Sequence, residues 1–282
     1  MRVRLDLGYD GTAFAGWAAQ PAQRTVEALL AQSLARVLRL PDLPRLVVAG
    51  RTDSGVHARH QVAHVDLPHE LWSAAPGRSD VPPGRALVRR LTGVLPRDVR
   101  VRRAEVAPAG FDARFSALRR HYAYRVSEAE SGPDPLRRHE VLDLRRPLDL
   151  EAMSTASAHL VGLNDFAAFC RRRQGATTVR TLLEYSWRRP VLGEPDDGLV
   201  VATVVADAFC RSMVRALVGA LLPVGLGRRD VDWPAQVLAG RARDARVGVV
   251  APGGLTLEQV DYPPDDQVAV RARAARAVRR LP

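Results

Sequence analysis

Apolar and polar residues alternate at the start of the chain. The apolar positions of this stretch are Val3, Leu5, Leu7 and Tyr9. A period of two is typical of a strand with one buried face. After a glycine-rich stretch the apolar spacing changes to that of a helix, for which Thr25 is suited to be the N-cap. The predicted buried stripe of this helix consists of Leu29, Leu30, Leu34, Val37 and Leu38.

The remaining pattern of the first hundred residues adds three strands and a second helix. The predicted elements are a strand at 46–49, a loop at 50–58, a strand at 61–67, a helix at 82–95 and a strand at 99–106. The order of elements in this part of the chain is therefore β-α-β-β-α-β.

The rest of the chain repeats the same mixture of elements. The predicted elements are a strand at 122–127, a helix at 152–162, strands at 181–188 and 199–207, an apolar helix at 209–224 and a basic helical segment at 271–280. Several strands follow one another without a crossover helix, which disfavours a doubly wound parallel sheet. The pattern predicts two α+β halves with an extended mixed sheet.

The length of 282 residues fits about two domains, and we expect them at 1–108 and 109–282. The longest apolar run, at 199–205, has the length of a strand rather than of a membrane span. The first residues alternate charged with apolar side chains, unlike a signal peptide. Cys170 and Cys210 form neither a disulfide framework nor a zinc cluster pattern. We therefore expect a cytoplasmic protein with reduced thiols.

Charge narrows the class of partner. The chain has 42 basic residues, all of them Arg, against 31 acidic ones, and its formal net charge is +11. A surplus of this size favours a polyanionic partner. Nucleic acid is favoured over a membrane surface, because no strong amphipathic anchor precedes the core.

The loop at 50–58, with the sequence GRTDSGVHA, follows a predicted strand and contains one carboxylate, that of Asp53. Arg51 on one side and hydroxyl-bearing neighbours would keep this carboxylate ionised. Two glycines allow backbone conformations that other residues avoid. Composition alone also fits an ordinary surface turn.

This loop resembles the signature of the A-type tRNA pseudouridine synthases, and further segments in the same order resemble that family. They are YDGTAFAGW at 9–17, TVE at 25–27, FDARFSA at 111–117, RHYAY at 120–124, DFAAF at 165–169, FCRSMVR at 209–215, GLTL at 254–257 and VDYP at 260–263. Together these segments extend over nearly the whole chain.

The resemblance implies a fold and an activity. The fold is that of pseudouridine synthases, in which two RRM-like (ferredoxin-like) α+β halves share an extended mixed, mainly antiparallel sheet with a basic cleft between them. The activity is the isomerisation of uridines at positions 38, 39 and 40 of the tRNA anticodon stem-loop. The family needs no metal, redox cofactor or nucleotide, and it works as a homodimer.

The resemblance also implies roles for individual residues. Asp53 matches the essential catalytic aspartate, and Arg215 matches the arginine that pairs with it. Tyr122 matches a tyrosine that contacts the target uracil and helps to remove the C5 proton. Leu255 matches an apolar residue beside the flipped base, and Arg51 an arginine that holds the nucleotide out of the stack. The arginines that fit phosphate contacts are Arg119, Arg120, Arg171, Arg172 and Arg173.

Three positions or segments depart from the family pattern. Ala18 follows the tryptophan where a glutamine is common, and His121 precedes Tyr122 where an arginine is usual. The segment at 252–254, with the sequence PGG, matches the last part of the family pattern less closely than the other segments match theirs. These differences concern contacts to substrate rather than the residues matched to catalytic roles.

The residues are also compatible with three other functions. A non-catalytic RNA-binding module would use the same basic surface, although it has little use for a carboxylate in the loop. A metal-dependent hydrolase would use His57, His60 and His64, whose spacing fits ligands on a helix, in a stretch that is predicted as loop and strand. A pseudouridine synthase acting on another RNA would have the same motifs.

Overall fold

A computed structural model describes residues 1–171 and 177–277. The chain is α+β, as predicted, and its contacts divide it into two compact units. The first unit contains Met1–Leu118 and Glu258–Ala277, and the second contains Arg119–Leu257. The first boundary thus lies after Leu118 rather than after residue 108, and a C-terminal segment returns to the first unit. In the part of the chain that the structure describes, no helix is long and apolar enough to cross a membrane.

The first unit combines antiparallel strands with helices. Its elements are β1 (Arg2–Tyr9), α1 (Val26–Leu38), β2 (Leu46–Val48), β3 (His57–Asp66), α2 (His69–Ser73), α3 (Pro83–Thr92) and β4 (Val99–Val106). A 3₁₀ turn (Asp265–Gln267) and α7 (Val268–Ala274) come from the returning segment. Strand β1 lies between β3 and β4, and β2 pairs with β3. The predicted order of strands and long helices is confirmed.

The alternation in β1 produces the core of the first unit. Val3, Leu5 and Leu7 are fully buried, as their period of two predicts. Helix α3 lies directly against β4. The approach is so close that a Cβ on Gly84 of this helix would overlap the carbonyl oxygen of Ala104 in β4. A glycine at this position lets the helix approach the sheet closely.

The ends of helix α1 follow from two residues. Thr25 is its N-cap, as predicted, and the side chain accepts a hydrogen bond from the amide of Ala28. The helix ends at Leu38, where Arg39 adopts a left-handed conformation and donates its amide to the carbonyl of Ala35. Leu29 is only half-buried, whereas Leu30 and the later apolar residues of the stripe are buried.

The second unit contains a second antiparallel arrangement. Its elements are β5 (Arg119–Ser127), a 3₁₀ turn (Pro135–Arg137), β6 (Leu142–Asp143), α4 (Leu150–Ala158), β7 (Gly162–Asp165), a 3₁₀ turn (Phe166–Phe169), β8 (Val179–Arg188), β9 (Val200–Ala206), α5 (Met213–Gly225) and α6 (Trp233–Ala239). The strand order is β5-β9-β8-β7, with β6 parallel to β5. Strand β10 (Leu255–Asp261) contains the point where the chain returns to the first unit.

Two helix boundaries in the second unit differ from the predicted ones. Helix α5 begins at Met213 rather than at 209, because Ser212 has a positive φ of 62° that interrupts helical geometry. Helix α4 ends at Ala158 rather than at 162, and Gly162, with a φ of 114°, begins β7. The short elements β6, β7 and α6 were not predicted, because their segments are too brief to show a period.

The prediction of reduced thiols is wrong for this structure. Cys170 and Cys210 are joined as a disulfide, with their Cα atoms 5.7 Å apart. The 3₁₀ turn that ends at Phe169 brings the first cysteine to the segment before α5. The amide of Arg171 also donates to the carbonyl of Arg211, 3.0 Å away. Spacing along the sequence gave no sign of this proximity.

A buried histidine lies in the first unit. His64 on β3 accepts a hydrogen bond at Nδ1 from the amide of Ala113, at 3.0 Å, and its ring packs edge-on against Phe111. Burial lowers the pKa of His64 from 6.5 to about 4, and the positive charge of Arg2 acts in the same direction. The folded protein therefore holds this imidazole neutral.

The buried histidine predicts an acid-dependent loss of stability. Between pH 6.5 and pH 4 the unfolded chain binds a proton at His64 that the folded chain does not. Over this range the free energy of unfolding therefore decreases as the pH is lowered, by on the order of 1 kcal/mol per pH unit. We expect His64→Asn to show a smaller loss of melting temperature between pH 7 and pH 4.5 than the wild type. The exposed His60 on the same strand provides the control His60→Asn. Equal losses in all three proteins would contradict the prediction.

Candidate active site

The loop at 50–58 connects β2 to β3 in the first unit, and its last two residues, His57 and Ala58, already belong to β3. Asp53 is half-buried, Arg51 is exposed and Thr52, between them, is buried. The amide of Val56 donates to the carbonyl of Asp53 at 3.2 Å, and Gly55 has a φ of 76°. The chain therefore makes a tight turn directly after Asp53, and this turn keeps the aspartate partly accessible to solvent.

A second loop of the first unit, at 10–17, packs against the loop that carries Asp53. The carbonyl of Phe14 accepts hydrogen bonds from the amide of Gly55 and from the hydroxyl of Ser54, each at 3.2 Å. The amide of Trp17 donates to the carbonyl of Thr52 at 3.1 Å. Two segments that carried the family resemblance are thus in direct contact through their backbones.

The close contact between the two loops requires glycine at two positions. Gly16 has a φ of 94°, and a Cβ on it would lie 2.8 Å from the carbonyl oxygen of Thr52. A Cβ on Gly11 would overlap the carbonyl of Val56. No other residue fits at either position without moving the backbone around Asp53.

In the second unit, Tyr122 lies on β5 and is buried. Its ring meets the ring of Phe209 edge-to-face, with centroids 5.1 Å apart and planes at 89°. Such a geometry is the favoured one for an aromatic pair. Phe209 belongs to the segment that leads into α5, so the contact links the strand of Tyr122 to the helix of Arg215.

Arg215 lies in the first turn of α5 and is half-buried. Its Nε donates to the carbonyl of Val250 at 2.8 Å, while the amide of Val250 donates back to the carbonyl of Arg215 at 3.3 Å. The next residue, Ala251, accepts from the hydroxyl of Tyr124 at 2.9 Å. Burial raises the pKa of Tyr124, so this phenol is a hydrogen-bond donor throughout the neutral range.

Leu255 is the first residue of β10 and is buried. The carbonyl of the preceding residue, Gly254, accepts from the amide of Arg125 at 2.9 Å. A Cβ on Gly254 would lie 2.7 Å from the ring of Tyr124. The structure thus connects the segments of Tyr122, Arg215 and Leu255 through Phe209, Tyr124 and residues 250–254.

The arginines expected to contact phosphate are in different environments. Arg119 and Arg171 are exposed. Arg120 is buried and its guanidinium donates to the carbonyl of Asp207 at 2.5 Å. Arg172 and Arg173 lie outside the described residues.

The histidines considered as metal ligands have other contacts. His57 accepts from the amide of Gly11 at 3.0 Å, His64 accepts from Ala113, and His60 lies 3.3 Å from the guanidinium of Arg102. Within residues 1–171 and 177–277, no group of three or more His, Cys, Asp or Glu side chains could hold a metal ion.

Sequence reasoning missed the aromatic and polar residues that support these segments. The sequence predicts Phe209 as part of the helix at 209–224, and Tyr124 enters only as the last residue of the RHYAY segment. Gln61 was treated as an ordinary strand residue, although it is fully buried. A glutamine at an inward position of a strand is the one signal that could have drawn attention to it, because buried polar groups need partners.

Comparison with known proteins defines the class to which this site belongs. A family model described as tRNA pseudouridine synthase matches residues 156–263. Two proteins called tRNA pseudouridine synthase A match nearly the whole chain. The one from Streptomyces griseus subsp. griseus is 55% identical over 282 residues, covering 100% of this chain and 95% of that protein. The one from Frankia casuarinae is 59% identical over 279 residues, covering 99% of this chain and 96% of that protein.

A third similar protein, the tRNA pseudouridine synthase A of Mycobacterium leprae, is 50% identical over 282 residues, covering 99% of this chain and 96% of that protein. Identities of this size over full length show that the chain belongs to the tRNA pseudouridine synthase A family, a family of isomerases. The resemblance read from the motifs is confirmed, as is the fold class that it implied.

Adjacent arginines on β5 provide a test of the site's framework. Arg120→Ala removes a buried guanidinium donor from the carbonyl of Asp207, which we expect to cost about 1–3 kcal/mol of stability. For a chain of this length that corresponds to a fall in melting temperature of roughly 3–8 °C. Arg119→Ala, at the exposed neighbour, is the control and should change the melting temperature by less than about 2 °C. A larger loss for Arg119→Ala than for Arg120→Ala would contradict the assignment of Arg120 to the framework.

Proposed function

We propose that this protein converts uridines at positions 38, 39 and 40 of the tRNA anticodon stem-loop to pseudouridine, with Asp53 as the catalytic carboxylate. The observation that carries the proposal is the loop at 50–58. Its single carboxylate lies in a turn braced by a second loop, both in segments that resemble the family, and relatives named tRNA pseudouridine synthase A match the full chain.

The reaction exchanges one bond to the sugar for another. The N1–C1′ bond of uridine breaks, a C5–C1′ bond forms, C5 loses a proton and the freed ring nitrogen gains one, so that composition is unchanged. The Asp53 carboxylate can attack C6 of uracil, attack C1′, or accept a proton from C2′. Each route requires an ionised carboxylate held in a fixed position.

The other matched residues act on the same nucleotide in this proposal. Tyr122 contacts the uracil and helps to remove the C5 proton, and Leu255 provides an apolar contact for the base. Arg215 pairs with Asp53, and Arg51 holds the flipped nucleotide out of the stack. Extrusion of a base costs a few kcal/mol, which aromatic and apolar contacts in a pocket offset.

Charge supports tRNA as the substrate. A net charge of +11 attracts a polyanion, and the exposed Arg119 and Arg171 fit phosphate contacts. In this proposal Arg172 and Arg173 also contact phosphate, whereas the buried Arg120 supports the fold instead of the RNA contacts expected for it. The protein acts as a homodimer and works in the cytoplasm. No metal, redox cofactor or nucleotide takes part, since the isomerisation needs none.

A carboxylate in the loop argues against a protein that only binds RNA. A negative charge repels phosphate, so a binder gains nothing from it. A pseudouridine synthase with another RNA target remains the second candidate. Mapping pseudouridine in all RNAs of cells lacking the protein separates the two, because loss at positions 38–40 of tRNA identifies the proposed substrate and loss in another RNA identifies the alternative.

The catalytic role of Asp53 predicts the behaviour of Asp53→Asn. The amide has nearly the same shape but neither the charge nor the basicity of the carboxylate, so we expect isomerisation to fall to background while tRNA binding is retained. Tritium release from C5-labelled tRNA measures turnover, and a binding titration measures affinity. Asp42→Asn, at an exposed aspartate of the same unit, is the control and should keep full activity. A folded Asp53→Asn protein with near-native turnover would overturn the site assignment.

The proposed role of the Tyr122 hydroxyl predicts a similar separation. Tyr122→Phe keeps the ring contact with Phe209 but removes the hydroxyl, so we expect turnover to fall by roughly 10²-fold with unchanged tRNA affinity. Tyr185→Phe removes a buried hydroxyl from β8 in the same unit and should leave turnover within about twofold of the wild type. Turnover of Tyr122→Phe within a few-fold of the wild type would limit this tyrosine to stacking.

A further inference from the structure

Three polar side chains are buried beneath the loop that carries Asp53. The hydroxyl of Tyr9 lies 2.8 Å from the hydroxyl of Thr52, and Gln61 donates from Nε2 to the Tyr9 oxygen at 3.2 Å. The same Nε2 donates to the carbonyl of Gly50 at 2.9 Å. Tyr9 and Thr52 are each 6% exposed and Gln61 is 0% exposed. All three belong to the first unit, and together we call them the loop support.

The hydrogen bonds of the loop support link all three side chains. Gln61 donates to the Tyr9 oxygen, and the hydroxyls of Tyr9 and Thr52 bond each other, with either one able to donate. The amide of Val62 donates to Oε1 of Gln61 at 3.2 Å, which occupies the other end of that side chain. Burial raises the pKa of Tyr9 to about 12, so its hydroxyl stays protonated at neutral pH.

The loop support holds both residues that flank Arg51. Gln61 binds the backbone of Gly50, and Tyr9 binds the side chain of Thr52, which immediately precedes Asp53. The carbonyl of Thr52 accepts from the amide of Trp17, so this residue is held by its side chain and its backbone. The peptide that enters Asp53 is therefore fixed from two sides.

Stability alone does not explain a polar cluster at this position. Three buried polar side chains gain little over an apolar core of the same shape, since their hydrogen bonds only offset the loss of contact with water. What a satisfied buried network does provide is a single geometry for the groups attached to it. Here those groups are Gly50 and Thr52, which flank Arg51 just before Asp53.

We propose that Tyr9, Gln61 and Thr52 form a positioning device that sets the placement of the Asp53 carboxylate for reaction. This inference rests on the proposed function of Asp53. The three residues act through the loop and do not touch substrate, so they are positioning residues. A displacement of the carboxylate by about 1 Å is enough to lower the rate of the chemical step by roughly 10²-fold.

Hydroxyl-deleting variants separate positioning from folding. Tyr9→Phe and Thr52→Val each remove one hydroxyl, and Thr52→Ser retains it. We expect Tyr9→Phe and Thr52→Val to lower the single-turnover rate of tritium release from C5-labelled tRNA by about 10-fold to 100-fold. The dissociation constant for tRNA should stay within about threefold of the wild type. Thr52→Ser should recover the rate to within about threefold, which a loss through general destabilisation would not do.

Two further variants complete the experiment. Tyr262→Phe removes a tyrosine hydroxyl of the same unit that donates to the carbonyl of Ala113 rather than to the loop, and it should keep the wild-type rate. The double variant Tyr9→Phe/Thr52→Val should be no slower than the slower single variant, because the two hydroxyls act as one pair. Independent, multiplying losses would overturn the coupling between them.

Measuring Asp53→Asn in the same series distinguishes a failure of the positioning role from a failure of the proposed function. If Asp53→Asn is inactive while Tyr9→Phe and Thr52→Val react within twofold of the wild-type rate, the positioning role fails and the proposed function stands. If Asp53→Asn reacts normally, the proposed site fails and the positioning role fails with it. If Tyr9→Phe does not fold, the comparison of Thr52→Val with Thr52→Ser decides, and equal rates in that pair overturn the inference.

Discussion

Two backbone segments of the first unit approach so closely that no side chain fits between them. The loop at 10–17 and the loop at 50–58 meet at Gly11 and Gly16, and their amides and carbonyls satisfy one another. The conformation of the chain at Asp53 depends on this contact, because it fixes the backbone on both sides of the aspartate. The loop support continues the same restraint on the buried side, where side chains rather than backbone groups make the hydrogen bonds.

In the second unit, the candidate site residues are held by contacts among separate elements rather than by two adjoining loops. Tyr122, Arg215 and Leu255 come from a strand, a helix and a second strand, and the segment at 250–254 connects them. Arg215 anchors its own helix by donating to a backbone carbonyl, so part of its hydrogen-bonding capacity serves the fold. A guanidinium has five N–H donors, which allows one side chain to hold a structural contact and still present donors elsewhere.

The sequence predicts the elements whose pattern is long and regular. Strand β1, helix α1 with its Thr25 cap and strand β4 are read correctly because their periods extend over a full element. It predicts the residues of the candidate site only through the motifs that surround them. The role of Gln61 could not be predicted, since its hydrogen-bond partners, the Tyr9 hydroxyl and the Gly50 carbonyl, are brought to it only by the fold. The Cys170–Cys210 pair could not be predicted for the same reason, because residues forty positions apart meet only through tertiary structure.

The segment Glu258–Ala277 belongs to the first unit although it follows the whole of the second. Ser116 donates to the carbonyl of Val268, and Tyr262 donates to the carbonyl of Ala113, so this segment closes hydrogen bonds that the N-terminal part begins. During synthesis on the ribosome, residues 1–118 emerge first, but their unit is complete only when residues 258–277 have also emerged. The second unit can fold in the meantime from a continuous stretch of chain. The unit that holds Asp53 is therefore the last to be finished, and a polypeptide interrupted late in translation lacks a complete setting for that carboxylate.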